Sequence, residues 1–540
     1  MKKNRMIRGA AAALCAVFAL SSCASVETRV NTISLGTSAT VAITQYEVRN
    51  EQVGGLVLGS SSSGPVTAAP MPSPVIAEPD TAVFAENDAV NEPEEQPPED
   101  TTAAVTTQAV QTTSAQTAAV TTAAATTTTT AAATTAETTT TAAATTTPPP
   151  ETTTTTAAQA AVMPSSGNYG RNSYSALNHS YVKAVWISYI EIAENLAYKT
   201  ESQFKTAFGA MLDNCKSLGI NTVYVHVRSH GDAYFYSGLF PFTRQLTGTP
   251  DKRTDYDPLK VMVSEAHDRG ISFHAWINPL RLCGNAEMAG ISPKYPVGKW
   301  YNGSEKGTYI VNVNGTWFLN PAYEAVRKLV GDNVREIVSN YNVDGIHIDD
   351  YFYPTTDKTF DSAAFAASGS SSLASWRIAN INAMVKEIYT ATHECGSAVF
   401  GAAPQGSDPN NLGQLYADTE AWCKGGYVDY FAPQIYYGFS NQLMPYKTVV
   451  DHWLAKVSGT STKLIVGLAV YKCGNEDKWA GTGKTEWQGT TDMLRRQIEY
   501  ANSKGCSGAA LYSYDYVFAT SKHTSAMQTE INNIKPLLAG

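Results

Sequence analysis

The chain has 540 residues, 43% of them hydrophobic and 16% charged, with 39 Lys and Arg against 48 Asp and Glu and a formal net charge of −9. This acidic balance, without a basic stripe in the folded part, excludes nucleic acid as a natural partner, because phosphate backbones demand clustered cations. The eight cysteines show no CxxC or Cys/His spacing of the structural zinc type, so neither a zinc framework nor any other cofactor is expected.

The N-terminus reads as an address. "MKKNRMIR" is a positive leader and "GAAAALCAVFAL" an apolar run too short to span a bilayer, which together make an export signal. "LSSC", Leu20 to Cys23, resembles a bacterial lipobox, so residues 1–23 are expected to be a lipoprotein signal peptide with Cys23 the lipidated residue. That predicts an extracytoplasmic protein held to the bacterial membrane through Cys23. Residues 24–177 read as a disordered Thr/Ala/Pro-rich linker. Their Pro-, Ser- and acid-rich first part gives way, from about Thr101 to Ala161, to almost unbroken Thr and Ala. Such a tract has nothing to bury against its ordering entropy. Residues 31–58 alternate in a β-like way but are too short for a domain. At roughly 5–6 Å × √n, about 150 residues give a tether with a mean reach of about 60–75 Å.

From 178 to 540 short β-rich runs alternate with helical periodicity. The runs are "VKAVWISYI", "NTVYVHVRS", "ISFHAWINP", "VDGIHIDDYF", "SAVFGAAP", "VDYFAPQIYYG", "KLIVGLAVY" and "CSGAALYSY". Amphipathic stretches such as "ESQFKTAFGAMLDNCKSLG" and "DPLKVMVSEAHDRG" lie between them, each closing on a glycine. Eight β-then-α units predict an α/β fold, a (β/α)8 TIM barrel, preceded by the tether. An open doubly wound sheet is disfavoured, since no glycine-rich phosphate loop follows any strand. Cys215, Cys395 and Cys423, near helix ends, read as small core residues.

Strand parity then locates a site. In the fourth run Ile346 and Ile348 oppose His347 and Asp349; in the second, Val223, Val225 and Val227 oppose Tyr224, His226 and Arg228. The third sets Phe273, Ala275 and Ile277 against His274, Trp276 and Asn278, and the sixth sets Phe431 and Ile435 against Gln434 and Tyr436. Apolar sets face the helices, so the polar sets point into the barrel and crowd its C-terminal mouth. There Asp349 and Asp350 end the fourth strand. Adjacent carboxyls in a partly dry cleft cannot both ionise freely, and one acid beside one carboxylate is what glycosidic cleavage needs. Around them Trp276, Tyr351, Tyr436 and Tyr512 offer flat faces for sugar rings, together with Trp186, Tyr234, Tyr236, Tyr353, Tyr437 and Tyr514, of which fewer than half are expected to touch ligand. Arg228, Asp232, Asn278, Arg281 and Gln434 offer hydrogen bonds, with His274 and His347 as inward-facing candidates. A polysaccharide is the expected partner.

Several long stretches resemble the bacterial glycosyl-hydrolase-like family ten: "VRSHGDAYFYSGLFPFTRQLTG", "YDPLKVMVSEAHDRGISFHAWINPLR", "VDGIHIDDYFYP", "WRIANINAMV" and "VDYFAPQIYYGF". The resemblance covers about 180 to 520. It implies a (β/α)8 barrel on exported or lipid-anchored proteins that act on peptidoglycan strands stripped of stem peptides, and it matches Asp349 and Asp350 to the family's acidic pair. Adjacent carboxylates are also similar to those of N-acetylhexosaminidases that use the substrate's acetamide as nucleophile. On that likeness Asp349 orients the acetamide, Asp350 is the acid/base, and Tyr436 hydrogen-bonds the acetamide. A two-carboxylate scheme would instead draw a distant acid from Asp232 or Asp515. The chain departs from the commoner pattern in carrying "WINPLR" and "APQG".

Two rivals stand beside this reading. His226, His274 and His347 share inward parity, which would suit a metal-dependent hydrolase or deacetylase, but they fall at staggered heights and form no HxH pair. A non-catalytic tethered carbohydrate-binding barrel would have lost polar groups at its strand ends, where here they are dense.

Overall fold

The structure, a computed structural model, describes residues 26–34, 40–48 and 169–539. Cys23, the expected signal peptide and most of the linker lie outside the described residues. Two findings revise the expected boundaries. Val26–Ser34 and Thr40–Val48 form an antiparallel ladder with Val26 opposite Val48. The folded block also begins before residue 178. The Asn172 N–H donates to the Cys395 carbonyl at 2.7 Å, and the Tyr174 hydroxyl and Leu177 N–H both donate to Asp344 Oδ1, at 2.8 and 2.5 Å.

Eight parallel staves form the barrel: β1 (Val182–Ile187), β2 (Thr222–Arg228), β3 (Ser272–Ile277), β4 (Gly345–Ile348), β5 (Val399–Ala402), β6 (Tyr430–Phe431), β7 and β8 (Gly508–Tyr512). β7 is broken at Ile465 into Lys463–Leu464, which pairs with β6, and Val466–Ala469, which pairs with β8. Bonds from Ile465 N–H to Phe431 O (2.8 Å) and Gly467 N–H to Pro433 O (3.0 Å) carry the ladder across the break. β8 pairs with β1, which closes the ring. The principal helices follow their strands in turn: α1 (Glu201–Leu218), α2 (Pro258–His267), α3 (Glu324–Asn340), α4 (Leu373–Cys395), α5 (Thr419–Lys424), α6 (Tyr446–Val457), α7 (Met493–Ser503) and α8 (Ser525–Leu538). α1 shows how the sequence sets their limits. Thr200 and Gln203 form a reciprocal capping box at its start, Gly219 ends it at φ 88°, and Phe204, Phe208, Met211, Leu212 and Cys215 make its buried stripe.

The parity argument holds along β2 to β4. Val223, Val225, Phe273, Ala275, Ile346 and Ile348 join the apolar layer under the helices. The opposite set fills the barrel, and it does so unevenly. β1 to β4 contribute bulk (Trp186, Tyr224, His274, Trp276, His347), whereas β5, β7 and β8 place small residues (Gly401, Gly467, Ala510) beside them and β6 sends the Tyr430 ring across to the histidines. A methyl group at Gly401 would fall 1.9–2.3 Å from Tyr430 ring carbons, and one at Gly345 would fall 2.4 Å from His274 Nδ1. Glycine is therefore required at both positions so that the rings can pass. All six cysteines among the described residues are buried free thiols.

Candidate active site

Deep in the barrel the polar groups satisfy one another. The Trp186 indole N–H donates to His347 Nε2 at 3.0 Å, so the neutral His347 carries its proton on Nδ1 and donates to the Tyr430 hydroxyl at 2.9 Å. Tyr430 in turn donates to His274 Nδ1 at 2.8 Å, and His274 Nε2 donates to Ser272 Oγ at 3.1 Å. Burial pushes both histidines down, to about 4 for His274, which keeps them neutral. His274 and His347 were expected to touch substrate. The structure corrects this: they lie below the mouth with both ring nitrogens committed to protein, and Trp186 lies with them.

One layer higher, Trp276 stacks on His226 with ring centroids 3.3 Å apart, forming the floor under Asn278. Asn278 stands between His226 Nε2 (3.2 Å) and both oxygens of Asp349 (3.3 Å each). The two neighbours make opposite demands on its amide. His226 Nδ1 accepts the Tyr189 N–H at 3.1 Å, which puts the ring proton on Nε2 and asks Asn278 for an oxygen. An ionised Asp349 asks for an N–H instead. Only a protonated Asp349 lets all of these bonds form together; ionising it turns the amide and sacrifices the Tyr189 bond. The amide thus ties the charge of Asp349 to the barrel wall.

Asp349 itself is 5% exposed and also receives the Tyr351 N–H at 3.3 Å. Asp350, one residue on, keeps partial access to solvent. Burial nevertheless pushes its carboxyl up, against the opposing bonds from the Gln434 and Gln405 side chains. Gln405 Nε2 donates to Asp350 Oδ2 at 3.2 Å, and Gln405 Oε1 accepts from Asn410 Nδ2 at 3.1 Å. Tyr436 stands close to both carboxyls; burial, then Tyr471, Asp350 and Asp349 hold its phenol well above the ordinary range. Tyr512 and Tyr471 pack against it at 6.0 and 6.1 Å. On the other side the Arg281 guanidinium lies over the Tyr351 ring at 5.1 Å and the Tyr189 ring at 5.9 Å. The structure therefore gathers Asp349, Asp350, Asn278, Trp276, Arg281, Tyr351, Gln434, Tyr436 and Tyr512 at one mouth.

Three other expected site residues fall elsewhere. Arg228 is turned out of the barrel by a β-bulge: His226 pairs with Trp276, but Arg228 pairs with Ile277, so one extra residue reverses its facing. Its guanidinium is buried and bonds Asn333 Oδ1 of α3 (2.8 Å) and the Pro279 and His230 carbonyls. Asp515 is 3% exposed and spends its charge on Lys522 at 2.7 Å. Asp232 sits in the loop after β2, where burial, chiefly, raises it to about 6 against Thr243, beside the Arg244–Glu287 ion pair. Of the further aromatics, Tyr353 bonds the buried Asp361 and Tyr514 bonds Asn214, both structural roles. The sequence reading missed Gln405, Tyr189 and Tyr471. Gln405 lay within the unusual "APQG", the one signal that pointed to it.

Among the described residues no three His, Cys, Asp or Glu side chains converge as a metal-binding group. His226, His274 and His347, the set weighed for a metal, each place both ring nitrogens on protein partners.

Comparison with known proteins adds a family. The model of the family glycosyl hydrolase-like 10 matches residues 181–481. Glycosyl hydrolase YngK of Bacillus subtilis (strain 168) is 30% identical over 348 residues, which is 59% of this chain and 66% of that protein, so this chain spans just under two thirds of its length. Glycosyl hydrolase DigH of Escherichia coli (strain K12) is 30% identical over 334 residues, 57% of this chain and 74% of that one. Among solved structures, the glycoside hydrolase domain of PgaB (BpsB) from Bordetella bronchiseptica aligns with a TM-score of 0.44 at 14% identity, over 66% of this chain and 99% of that one. The catalytic domain of β-amylase from Paenibacillus polymyxa aligns with a TM-score of 0.44 at 12% identity, over the same shares.

Proposed function

The chain belongs to the glycosyl hydrolase-like 10 family, and from that membership we propose that it is an extracytoplasmic glycosidase that cleaves peptide-free peptidoglycan strands with the help of the substrate's own acetamide. The observation that carries this reading is the unequal setting of two adjacent carboxyls. Asp349 is nearly sealed and tied to Asn278, while Asp350 remains reachable, with its carboxyl raised by burial.

In this reading Asp350 enters protonated and gives its proton to the glycosidic oxygen as the C1–O bond breaks. The acetamide carbonyl oxygen closes on C1, and Asp349, its proton released to solvent when substrate binds, holds the acetamide N–H as a carboxylate while Tyr436 donates to the acetamide carbonyl oxygen. A water then attacks C1 and yields its proton to Asp350 as the bond between C1 and the acetamide oxygen breaks, which releases the free sugar with its acetamide restored. Gln405 and Gln434 hold the Asp350 carboxylate between the two steps. Tyr351 and Tyr512 supply faces for sugar rings, and Trp276, buried under Asn278, supports the site from below. Anchorage through Cys23 and the long linker would carry the barrel out to a wall polymer.

The test gives the full chain peptide-free glycan strands, intact sacculi and a panel of plant polysaccharides, with Asp349→Asn as control and products read by mass spectrometry. Fragments from the stripped strands alone, absent with the variant, are the expected result. Release from a plant polysaccharide would reassign the substrate, and binding without release would make the barrel a tethered carbohydrate-binding protein.

A further inference from the structure

The segment between β3 and α3 is long, and it carries a small three-stranded sheet that starts at the mouth. Arg281–Gly284 starts three residues after Asn278 and pairs antiparallel with Thr316–Leu319, which pairs with Ile310–Val313. The Leu319 N–H donates to the Leu280 carbonyl at 2.8 Å, fastening the sheet to the end of β3. Its two faces differ. Ile310, Trp317 and Leu319 are buried on one side, where the Trp317 indole N–H donates to Asn285 Oδ1 at 2.9 Å.

On the other side Arg281 is directly opposite Phe318, and Phe318 is directly opposite Val311. Opposed residues of antiparallel strands share a face, so these three stand in a row across the sheet, about 4.8 Å apart from strand to strand. All three are only half-buried, and Val311 and Phe318 also touch the core. The inner end of the row is the mouth itself, because Arg281 lies over Tyr351, the residue after Asp350.

We propose that this face is a distal glycan subsite in which the Phe318 ring stacks on a sugar of the same chain whose scissile bond lies at Asp349 and Asp350. The inference deepens the reading given under Proposed function and rests on it. Continuity selects the occupant. The row runs from the acidic pair outward, its strand spacing is close to the length of one pyranose unit, and an extended polysaccharide reaches both ends at once. Phe318 offers an apolar face for the sugar C–H groups, and Arg281 at the joint offers donors for hydroxyl or carboxylate oxygens.

The experiment uses the full chain, Phe318→Ala and Phe318→Tyr, with peptide-free glycan strands sized into tetra- and octasaccharides. The ratio of kcat/KM on the octasaccharide to that on the tetrasaccharide should fall up to about tenfold in Phe318→Ala, through KM, and recover in Phe318→Tyr. An unchanged ratio, or an equal loss at both lengths, overturns the subsite. Calorimetric binding of the octasaccharide runs in parallel and separates the two readings. If the wild-type chain cleaves neither glycan, the glycosidase reading falls, yet weaker binding by Phe318→Ala still supports the subsite. Equal binding by both proteins, or none by either, overturns the subsite as well.

Discussion

Gln405 donates its side-chain amide to Asp350 Oδ2 at 3.2 Å, and Asn410 holds the far end of that amide at 3.1 Å. The bond favours the ionised carboxylate, so it opposes the rise that burial imposes on Asp350. Gln405→Met removes the donor and leaves the burial. The Asp350 carboxyl should then rise further, and the alkaline limb of kcat/KM against pH, which reports loss of the acid's proton, should move up by about one unit. Asn410→Ala should move it the same way by less. A limb that stays in place would show that Gln405 does not act on the reacting proton.

The two aspartates should separate by leaving group. Asp350→Asn removes the proton donor, and activity on a natural glycan should fall by about 10²–10⁴-fold. An aryl N-acetylhexosaminide with an acidic phenol leaves without protonation, so its first step should be largely restored in that variant. Asp349→Asn acts on acetamide orientation, and no leaving group should restore it. Pre-steady-state release of the phenol reads the first step directly, and rescue of Asp349→Asn in place of Asp350→Asn would exchange their roles.

Much of the fold was legible because period-2 alternation survives wherever a strand is regular. The inward and outward sets of β3 and β4 followed from residue parity alone, and so did the position of Asp349 at the mouth. The same logic failed at Arg228, where one inserted residue reverses the facing and nothing in "VHVRS" marks it. His274 and His347 had the right parity but the wrong depth. Height within the barrel depends on register between strands far apart in sequence, which composition does not encode. Asp515 looked available because its partner, Lys522, lies seven residues on, across a short helix. Gln405, Tyr189 and Tyr471 lie beyond the last residues of their strands, where alternation no longer says which way a side chain turns.

The correction at Arg228 is itself testable. A substrate-binding arginine, once replaced, would raise KM and leave stability alone. The guanidinium seen here is itself buried and holds α3 through Asn333 and the β2 and β3 ends through two carbonyls. Arg228→Ala should therefore cost about 3 kcal/mol or more, since buried acceptors lose a charged donor. Thermal melting of Arg228→Ala and Arg228→Lys should show a lowered Tm in both, with the lysine variant intermediate, because an ammonium cannot reproduce the planar fork. A wild-type Tm with an elevated KM would return Arg228 to the substrate.

Acid should loosen the barrel at the junction of the β5 loop with α6. Asp408 is 7% exposed and bonded by Lys456 and by His452 Nε2 at 2.5 Å. Burial alone would raise its carboxyl, but the His452 bond and the Lys456 charge outweigh it and hold the group at about 2, below the ordinary 3.8. A depressed folded value means that the stabilisation is complete above about pH 4 and is lost as pH falls towards 2, to a limit of about 2 kcal/mol. The pair delivers less than that limit, because burial pushes the Lys456 ammonium down even with Asp408 beside it. Asp408→Asn should thus be less stable than wild type at pH 6, and the gap between their denaturant midpoints should narrow between pH 4 and pH 2. A gap that stays constant over that interval would assign the loss to packing around residue 408, with the ion pair contributing nothing that acid can remove.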